Sequence, residues 1–243
     1  MKQNLNQLGQ PIGESLPNWI PARTPDKSPM EGKFCRLEAL DCARHATDLF
    51  EAYSNDKEGK MWTYLSYGPF QTQDDLNDWL QVQSQSKDPV FFAIIEKTSN
   101  KAVGLASYLR IQPKDGVIEV GHLSYSPLLQ KTPTATNAMF LMMKRAFNEL
   151  GYRRYEWKCD SLNAESNRAA QRLGFSYDGR FRQAMIYKGR NRDTAWYSIL
   201  DRQWPGIEKA YEQWLSADNF DGDGRQLGKL ADMIAAQRIS PEE

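Results

Sequence analysis

The chain has 243 residues, 40% of them hydrophobic and 26% charged, which suits one large globular domain or two small ones. Thirty-one basic residues balance thirty-one acidic ones, so no overall field draws the chain to nucleic acid or to an anionic membrane. Apolar runs such as Val90–Ile95 fall far short of the ~20 residues of a membrane span, and two histidines, His45 and His122, are too few for a histidine-rich metal site.

The opening residues, MKQNLNQLGQ, lack the apolar core of a secretion signal. Cys35, Cys42 and Cys159 show no paired spacing. Both features point to a cytoplasmic protein with reduced thiols and no membrane partner. Residues 1–33 carry Gly9, Pro11, Gly13, Pro17, Pro21, Pro25, Pro29 and Gly32 with little periodicity, and read as an extended arm held to the surface by Trp19 and Ile20.

Cys35–Leu40 alternates like a strand. Asp41 then caps a helix to about Asp56, with Ala43, Ala46, Leu49, Phe50 and Tyr53 on one face. An aromatic loop runs from Trp62 through Tyr64 and Tyr67 to Phe70. Thr72 with Asp75 opens a second helix carrying Leu76, Trp79, Leu80 and Gln83. Val90–Glu96 and Ala102–Ile111 read as an antiparallel pair around a Thr-Ser-Asn turn, and Pro113–Gly116 turns into a strand over Val117–Ser126. A helix follows over Gln130–Leu150, then a strand at Arg154–Asp160 and a short helix from Asn163. Arg180–Tyr187, the turn Lys188–Asn191 and Thr194–Leu200 form a last hairpin; Trp204–Leu215 and Leu227–Gln237 are helical. A meander of strands that then alternates with helices predicts a sheet partly antiparallel and partly parallel, with helices on its faces.

The helix start near residue 132 is the first chemical feature. Thr132 fits the N-cap and Pro133 the first helical position, and Ala135 and Thr136 are small enough to let a ligand approach the backbone. Free N–H groups and the partial positive charge of a helix start hold a pyrophosphate without many cations. Further on, Asn163, Ser166, Asn167 and Ala170 share one helix face, ahead of Gly174-Phe175.

Taken together, the strand, the anion-ready helix start, the second strand and the Asn163-x-x-Ser166 segment leading to Gly174-Phe175 resemble the GNAT acyltransferase superfamily. The RimJ/RimL-like branch is the nearest pattern, and Gly189-x-x-x-Asp193-x-x-x-Tyr197-Ser198 extends the likeness. The resemblance implies an α+β fold: a mixed, mostly antiparallel sheet flanked by helices and splayed between the fourth and fifth strands. It implies three regions: an arm (1–33), a GNAT acyltransferase domain (34–204) and a helical C-terminal extension (205–243). It also implies acetyl-CoA as co-substrate, no metal, and transfer of the acetyl group by direct attack of a primary amine, from a small molecule or a protein N-terminus. The oligomeric state stays open, with a homodimer among the options.

Position matching puts the cofactor against Gln130, Thr132, Ala135, Thr136 and Asn137, with Pro133 where the family pattern has its first glycine, a change that removes one N–H donor. Asn163 matches the asparagine that contacts the pantetheine arm, with Asn167 one turn on, and Ser166 matches the serine beside the CoA sulfur. Ala170 occupies the address of the tyrosine acid found in many members. The oxyanion donor is a backbone N–H at a strand bulge, matched to Tyr125 with Leu123 and Ser124 flanking. Glu119 and His122 are the two candidate bases, Glu119 preferred, and their odd separation puts them on opposite faces of a regular strand. The acceptor pocket is expected between the Trp62–Phe70 loop, including Tyr64, and the last hairpin with Arg182 and Tyr187. Cys159, alternating with Tyr155 and Trp157, reads as packing rather than as a nucleophile. Asn219-x-Asp221-x-Asp223-Gly224 imitates a calcium loop, but its twelfth position is Leu230. A contrasting reading is a non-catalytic acyl-CoA-binding module, supported by Pro133 and the missing tyrosine.

Overall fold

The structure, a computed structural model, describes residues 4–237. Residues 1–3 of the expected arm and 238–243 of the expected extension lie outside them. In chain order its elements are β1 (Asn4–Leu5), β2 (Pro11–Ile12), β3 (Met30–Glu31), β4 (Cys35–Ala39), α1 (Cys42–Tyr53), α2 (Gln73–Gln85), β5 (Val90–Glu96), β6 (Ala102–Gln112), β7 (Val117–Tyr125), α3 (Pro133–Lys144), β8 (Arg154–Asp160), α4 (Ala164–Arg172), β9 (Ser176–Tyr187), β10 (Arg190–Leu200), α5 (Trp204–Trp214) and α6 (Leu230–Gln237). β1 and β2 pair with each other. The remaining strands form one sheet in the order β3-β4-β5-β6-β7-β8-β10-β9.

The first four helices start where the sequence supplies a side-chain cap. The Asp41 carboxylate accepts the Arg44 N–H, Thr72 and Asp75 exchange bonds in a capping box, and Thr132 Oγ1 accepts the Ala135 N–H at 3.2 Å. α1 and α2 lay Ala46, Leu49, Tyr53, Leu76 and Leu80 on one face of the sheet, against Phe91, Ala93, Ile95, Ala102 and Leu105. The opposite strand positions face α3 to α6, where Phe92, Tyr108, Ile118, Val120, Tyr155 and Trp157 share a core with Ala138, Met142, Ala170, Ile207 and Tyr211. α5 and α6 therefore belong to the same core as α3: Tyr211 stacks on Phe140 at 5.2 Å and Trp204 on Phe147 at 5.1 Å.

The helix expected over Gln130–Leu150 is regular only as far as Lys144. Its last turn widens over Arg145–Glu149, where the Leu150 N–H bonds the Arg145 carbonyl five residues back, and Arg145 Nη1 and Nη2 donate to the carbonyls of Ser28 and Pro29. That contact and Trp19, whose Nε1 donates to the Lys114 carbonyl at 2.8 Å, hold the N-terminal segment. Ile20 is not part of the clasp, since 79% of it is exposed. The last hairpin is longer than expected. Lys188 and Gly189, both at positive φ, form a two-residue turn that matches strand twist and lets pairing continue on both sides.

All neighbouring strands are antiparallel except β7 and β8. These two pair from Val117↔Arg154 to Val120↔Trp157 and then part, although β7 continues to Tyr125 and β8 to Asp160. With the two-residue β3 set aside, they are the fourth and fifth strands of the sheet. The cause lies on the other side of β7. Ser107 pairs Gly121 while Leu105 pairs Ser124, so His122 and Leu123 face a single residue of β6. His122 takes φ 49°, and this bulge bends β7 away from β8.

Candidate active site

The parting of β7 and β8 opens a gap whose two sides carry different chemistry. By strand alternation Trp157 and Cys159 face α3 and α4, whereas Glu156, Lys158 and Asp160 face the α1–α2 side. The start of α3 stands beside the gap. Its first residue, Pro133, has no N–H, and the Ala135 N–H is taken by Thr132 Oγ1. Lys131 just before it takes φ 62°. The Thr134 N–H, in the first helical turn, has no partner within the helix. Gln130 reaches back, its Nε2 donating to the Tyr125 carbonyl at 2.7 Å.

Tyr125 is oriented by the ladder. Ser126 donates to the Val103 carbonyl at 3.3 Å, so in an antiparallel pair the N–H and C=O of Tyr125 point the other way, toward the gap. The bulge itself sits at His122–Leu123, two to three residues earlier than the position matched to Tyr125. The Tyr125 phenol lies on the α3 side, buried without a hydrogen-bond partner among the described residues.

On the α4 side, Asn163 caps the helix by accepting the Ser166 N–H at 3.0 Å. Ser166 Oγ accepts from Trp157 Nε1 at 3.0 Å, which occupies a lone pair and leaves the hydroxyl proton to be donated. Burial pushes the neighbouring Cys159 thiol up, which keeps it protonated and consistent with packing rather than attack.

Several expected cofactor contacts turn inward instead. Asn137 is buried, its Oδ1 accepting the Phe34 N–H at 2.9 Å and facing Cys35 Sγ, so it pins the turn between β3 and β4. Thr136 is also buried and accepts from Arg172 Nη2 at 3.2 Å. Asn167 joins α4 to the sheet: its Nδ2 donates to the Asn163 carbonyl at 2.7 Å and its Oδ1 accepts from Tyr197 at 2.6 Å. Period-3.6 reasoning put these side chains on the correct helices but could not say which face the core would take.

The two base candidates differ from expectation as well. Glu119 is buried on the α1–α2 side, with Oε2 held by Arg110 Nη1 at 2.6 Å and Lys158 Nζ at 2.9 Å. Lys158 also reaches Glu156 at 2.8 Å and lies 3.7 Å from the Trp196 ring centroid; Arg154 continues the chain of charges from Glu156 to Asp178. Arg110, Arg154, Glu156 and Lys158 line a cavity of about 380 Å³ bordered by Met185 and Arg192. His122 rests between Tyr67 and Phe91, ring centroids 5.7 and 5.2 Å away, and burial lowers its pKa from 6.5 to about 4, helped by the charge of Arg110. The bulge breaks the alternation that would have put the two side chains on opposite faces: His122 packs with α2's Trp79 cluster on the same side as Glu119.

The aromatic loop and the hairpin do meet, though not as a pocket walled by Trp62. That indole is 4% exposed and packed between Tyr53 and Phe70. Its carbonyl accepts Lys188 Nζ at 2.8 Å, Tyr64 donates to the Leu162 carbonyl at 3.2 Å, and Tyr187 donates to Asp160 Oδ2 at 3.0 Å. Arg182 projects on the α4 side, lining a separate open cavity with Asn167, Tyr177 and Arg180. Lys158, Asp160 and Arg110 were missed as site residues. The alternation Arg154-Glu156-Lys158-Asp160 opposite Tyr155-Trp157-Cys159 was the signal that marked them.

The Asp221 carboxylate closes its own turn by accepting the Asp223 and Arg225 N–H groups, and Asn219 donates to the Trp214 carbonyl, so the calcium-like segment is tied up as a structural loop.

Residues 36–176 match the family model described as "Acetyltransferase (GNAT) domain". The chain is similar over 90% of its length, at 44% identity and a TM-score of 0.89, to all of a crystallised GCN5-related N-acetyltransferase from Brucella melitensis. A probable acetyltransferase of the GNAT family from Chromobacterium violaceum is 40% identical, with a TM-score of 0.74, over 81% of this chain and 98% of that one. An uncharacterized N-acetyltransferase from Bacillus licheniformis is 25% identical over 162 residues, 65% of this chain and 89% of that one.

Proposed function

The chain belongs to the GNAT acetyltransferase family, and from that premise we propose that it moves the acetyl group of acetyl-CoA to a primary amine by direct attack in a ternary complex. The observation that carries the reading is the parting of β7 and β8 after Val120↔Trp157 beside the start of α3. A diphosphate at that helix start aims its pantetheine arm into the gap. There the thioester meets an outward-facing amide on one strand and a serine hydroxyl on the other side.

Each chemical demand then has a residue. The Thr134 amide and the helix start, framed by Gln130, Thr132 and Ala135, bind the diphosphate. The Tyr125 amide stabilises negative charge on the thioester oxygen. Asn163 meets the pantetheine arm with its Nδ2. Ser166, its oxygen already bonded to Trp157, gives its proton to the departing thiolate. Glu119 holds the cavity residues Arg110 and Lys158 in place, and His122, packed between two aromatic rings, shapes the bulge. The amine enters from the α1–α2 side, past Tyr64, Tyr187 and the charged cavity. On the Asn163-x-x-Ser166 and Gly174-Phe175 pattern we place the chain in the RimJ/RimL-like branch, acting in the cytoplasm on a small amine or a protein N-terminus.

Thiol release from acetyl-CoA, measured with the purified protein and a panel of primary amines, tests this. Amine-dependent release is the expected result. Saturable acetyl-CoA affinity with no release for any amine would identify a binding module instead.

A further inference from the structure

Four carboxylates, Glu119, Glu156, Asp160 and Asp178, stand on the charged face of β7, β8 and β9, and one differs from the rest. Glu119 is paired with Arg110 and Lys158, Glu156 with Lys158 and Arg154, and Asp178 with Arg154. Asp160 is only 4% exposed, yet no cation among the described residues lies within ion-pair distance of it. Its bonds are to neutral donors: Oδ1 accepts the Leu162 N–H at 2.8 Å and Oδ2 accepts the Tyr187 hydroxyl at 3.0 Å. A buried carboxylate without a counter-charge is costly, and a cation that reaches it recovers that cost.

Its position matters as much as its partners. Asp160 is the last residue of β8, three beyond the final β7–β8 pair, and it faces away from Trp157, Cys159 and Ser166. A thioester held in the gap thus has the serine hydroxyl on one side and this carboxylate on the other. The groups around it are Lys158 on its own strand, bound to Glu119 and Glu156; Tyr187 on β9; Arg192 on β10, with Nε on Thr194 and its guanidinium 5.7 Å from the Tyr187 ring; and Tyr64 and Lys188, bonded to backbone carbonyls.

We propose that the Asp160 carboxylate, oriented by Tyr187, receives the ammonium of the acceptor and takes its first proton. The inference rests on the acetyltransferase reading. The acceptor arrives as R–NH3+ and gives one proton to Asp160, which passes it to solvent. The free amine attacks the thioester carbon, the C–N bond forms, and the C–S bond breaks with its electron pair going to sulfur. A second proton leaves nitrogen as the tetrahedral intermediate collapses and replaces the one Ser166 has given to the thiolate; the third stays on the amide. The balance is R–NH3+ plus acetyl-CoA giving R–NH–acetyl, CoA–SH and H+.

The test compares wild type, Asp160→Asn and Tyr187→Phe by thiol release with n-butylamine, spermidine and a serine-terminated tetrapeptide, alongside acetyl-CoA titration and melting temperature. Asn keeps an oxygen for the Leu162 N–H, and Tyr187→Phe leaves Asp160 itself in place. Expected are a fall in kcat of about 100-fold for Asp160→Asn, with acetyl-CoA affinity within twofold of wild type, and a raised amine KM for Tyr187→Phe. Asp160→Asn with more than a third of wild-type kcat overturns the assignment while leaving the acetyltransferase intact. If Asp160→Asn does not fold, an unchanged amine KM and kcat in Tyr187→Phe overturns it. Wild type that binds acetyl-CoA but releases no thiol, even to n-butylamine, overturns it too, since a seated carboxylate serves the smallest amine. Wild type that does not bind acetyl-CoA removes the acetyltransferase reading and this inference together.

Discussion

Ser166 and His122 illustrate how a neighbour decides what a side chain can do. Ser166 has a hydroxyl whose oxygen is engaged by Trp157, which makes it a donor rather than an acceptor toward the gap. Ser166→Ala should lower kcat about 100-fold with acetyl-CoA affinity nearly unchanged, as read from initial rates beside a binding titration. His122 binds a proton less readily in the folded protein than in the unfolded chain, its pKa moving from 6.5 to about 4. Between those values the unfolded state takes up more protons, so stability falls as pH drops from about 6.5 to 4 and is flat for this group outside that window. The full effect is about 3 kcal/mol. His122→Asn, which tolerates the positive φ, should lose less stability than wild type between pH 7 and pH 4 in urea unfolding. His45, lowered in the same direction by burial, adds the same slope to both proteins.

At the level of elements, caps and apolar spacing were legible in the chain: Asp41, Thr72 with Asp75, and Thr132 each open a helix where they stand. What could not be read was which polar residue of a helix turns inward. Thr136 and Asn137 sit on the first turn of α3, and only the packing of the Phe34–Cys35 segment and of Arg172 against that turn buries them. The bulge was expected near Tyr125 because position matching counts residues, whereas its true place is set by the left-handed His122 and the register against β6. Pro133 at the helix start gives a direct test of the backbone-amide account. Pro133→Gly restores an N–H at the anion site, so acetyl-CoA should bind several-fold more tightly, while added chain entropy costs about 1 kcal/mol of stability. Calorimetry and chemical unfolding on the same sample read both.

Across the whole molecule, the sheet is held open between two central strands, β7 and β8, and covered by helices on both faces. The mixed α and β character followed from the strand–helix order, and the splay from family likeness alone. The extent to which α5 and α6 share the main core did not, because Trp204, Tyr211 and Trp214 read equally well as a free amphipathic helix. Trp204 is 3% exposed, stacks on Phe147, and its Nε1 donates to Asn148 Oδ1 at 2.6 Å. Trp204→Ala should therefore destabilise the entire protein by about 3–5 kcal/mol in a single unfolding transition, not loosen a tail. The gap between β7 and β8, bordered by the start of α3, remains the feature on which every catalytic assignment depends. Calorimetric titration of the purified protein with acetyl-CoA tests it most directly. Saturable binding of one acetyl-CoA per chain is the predicted result, and an absence of saturable heat up to millimolar ligand would contradict it.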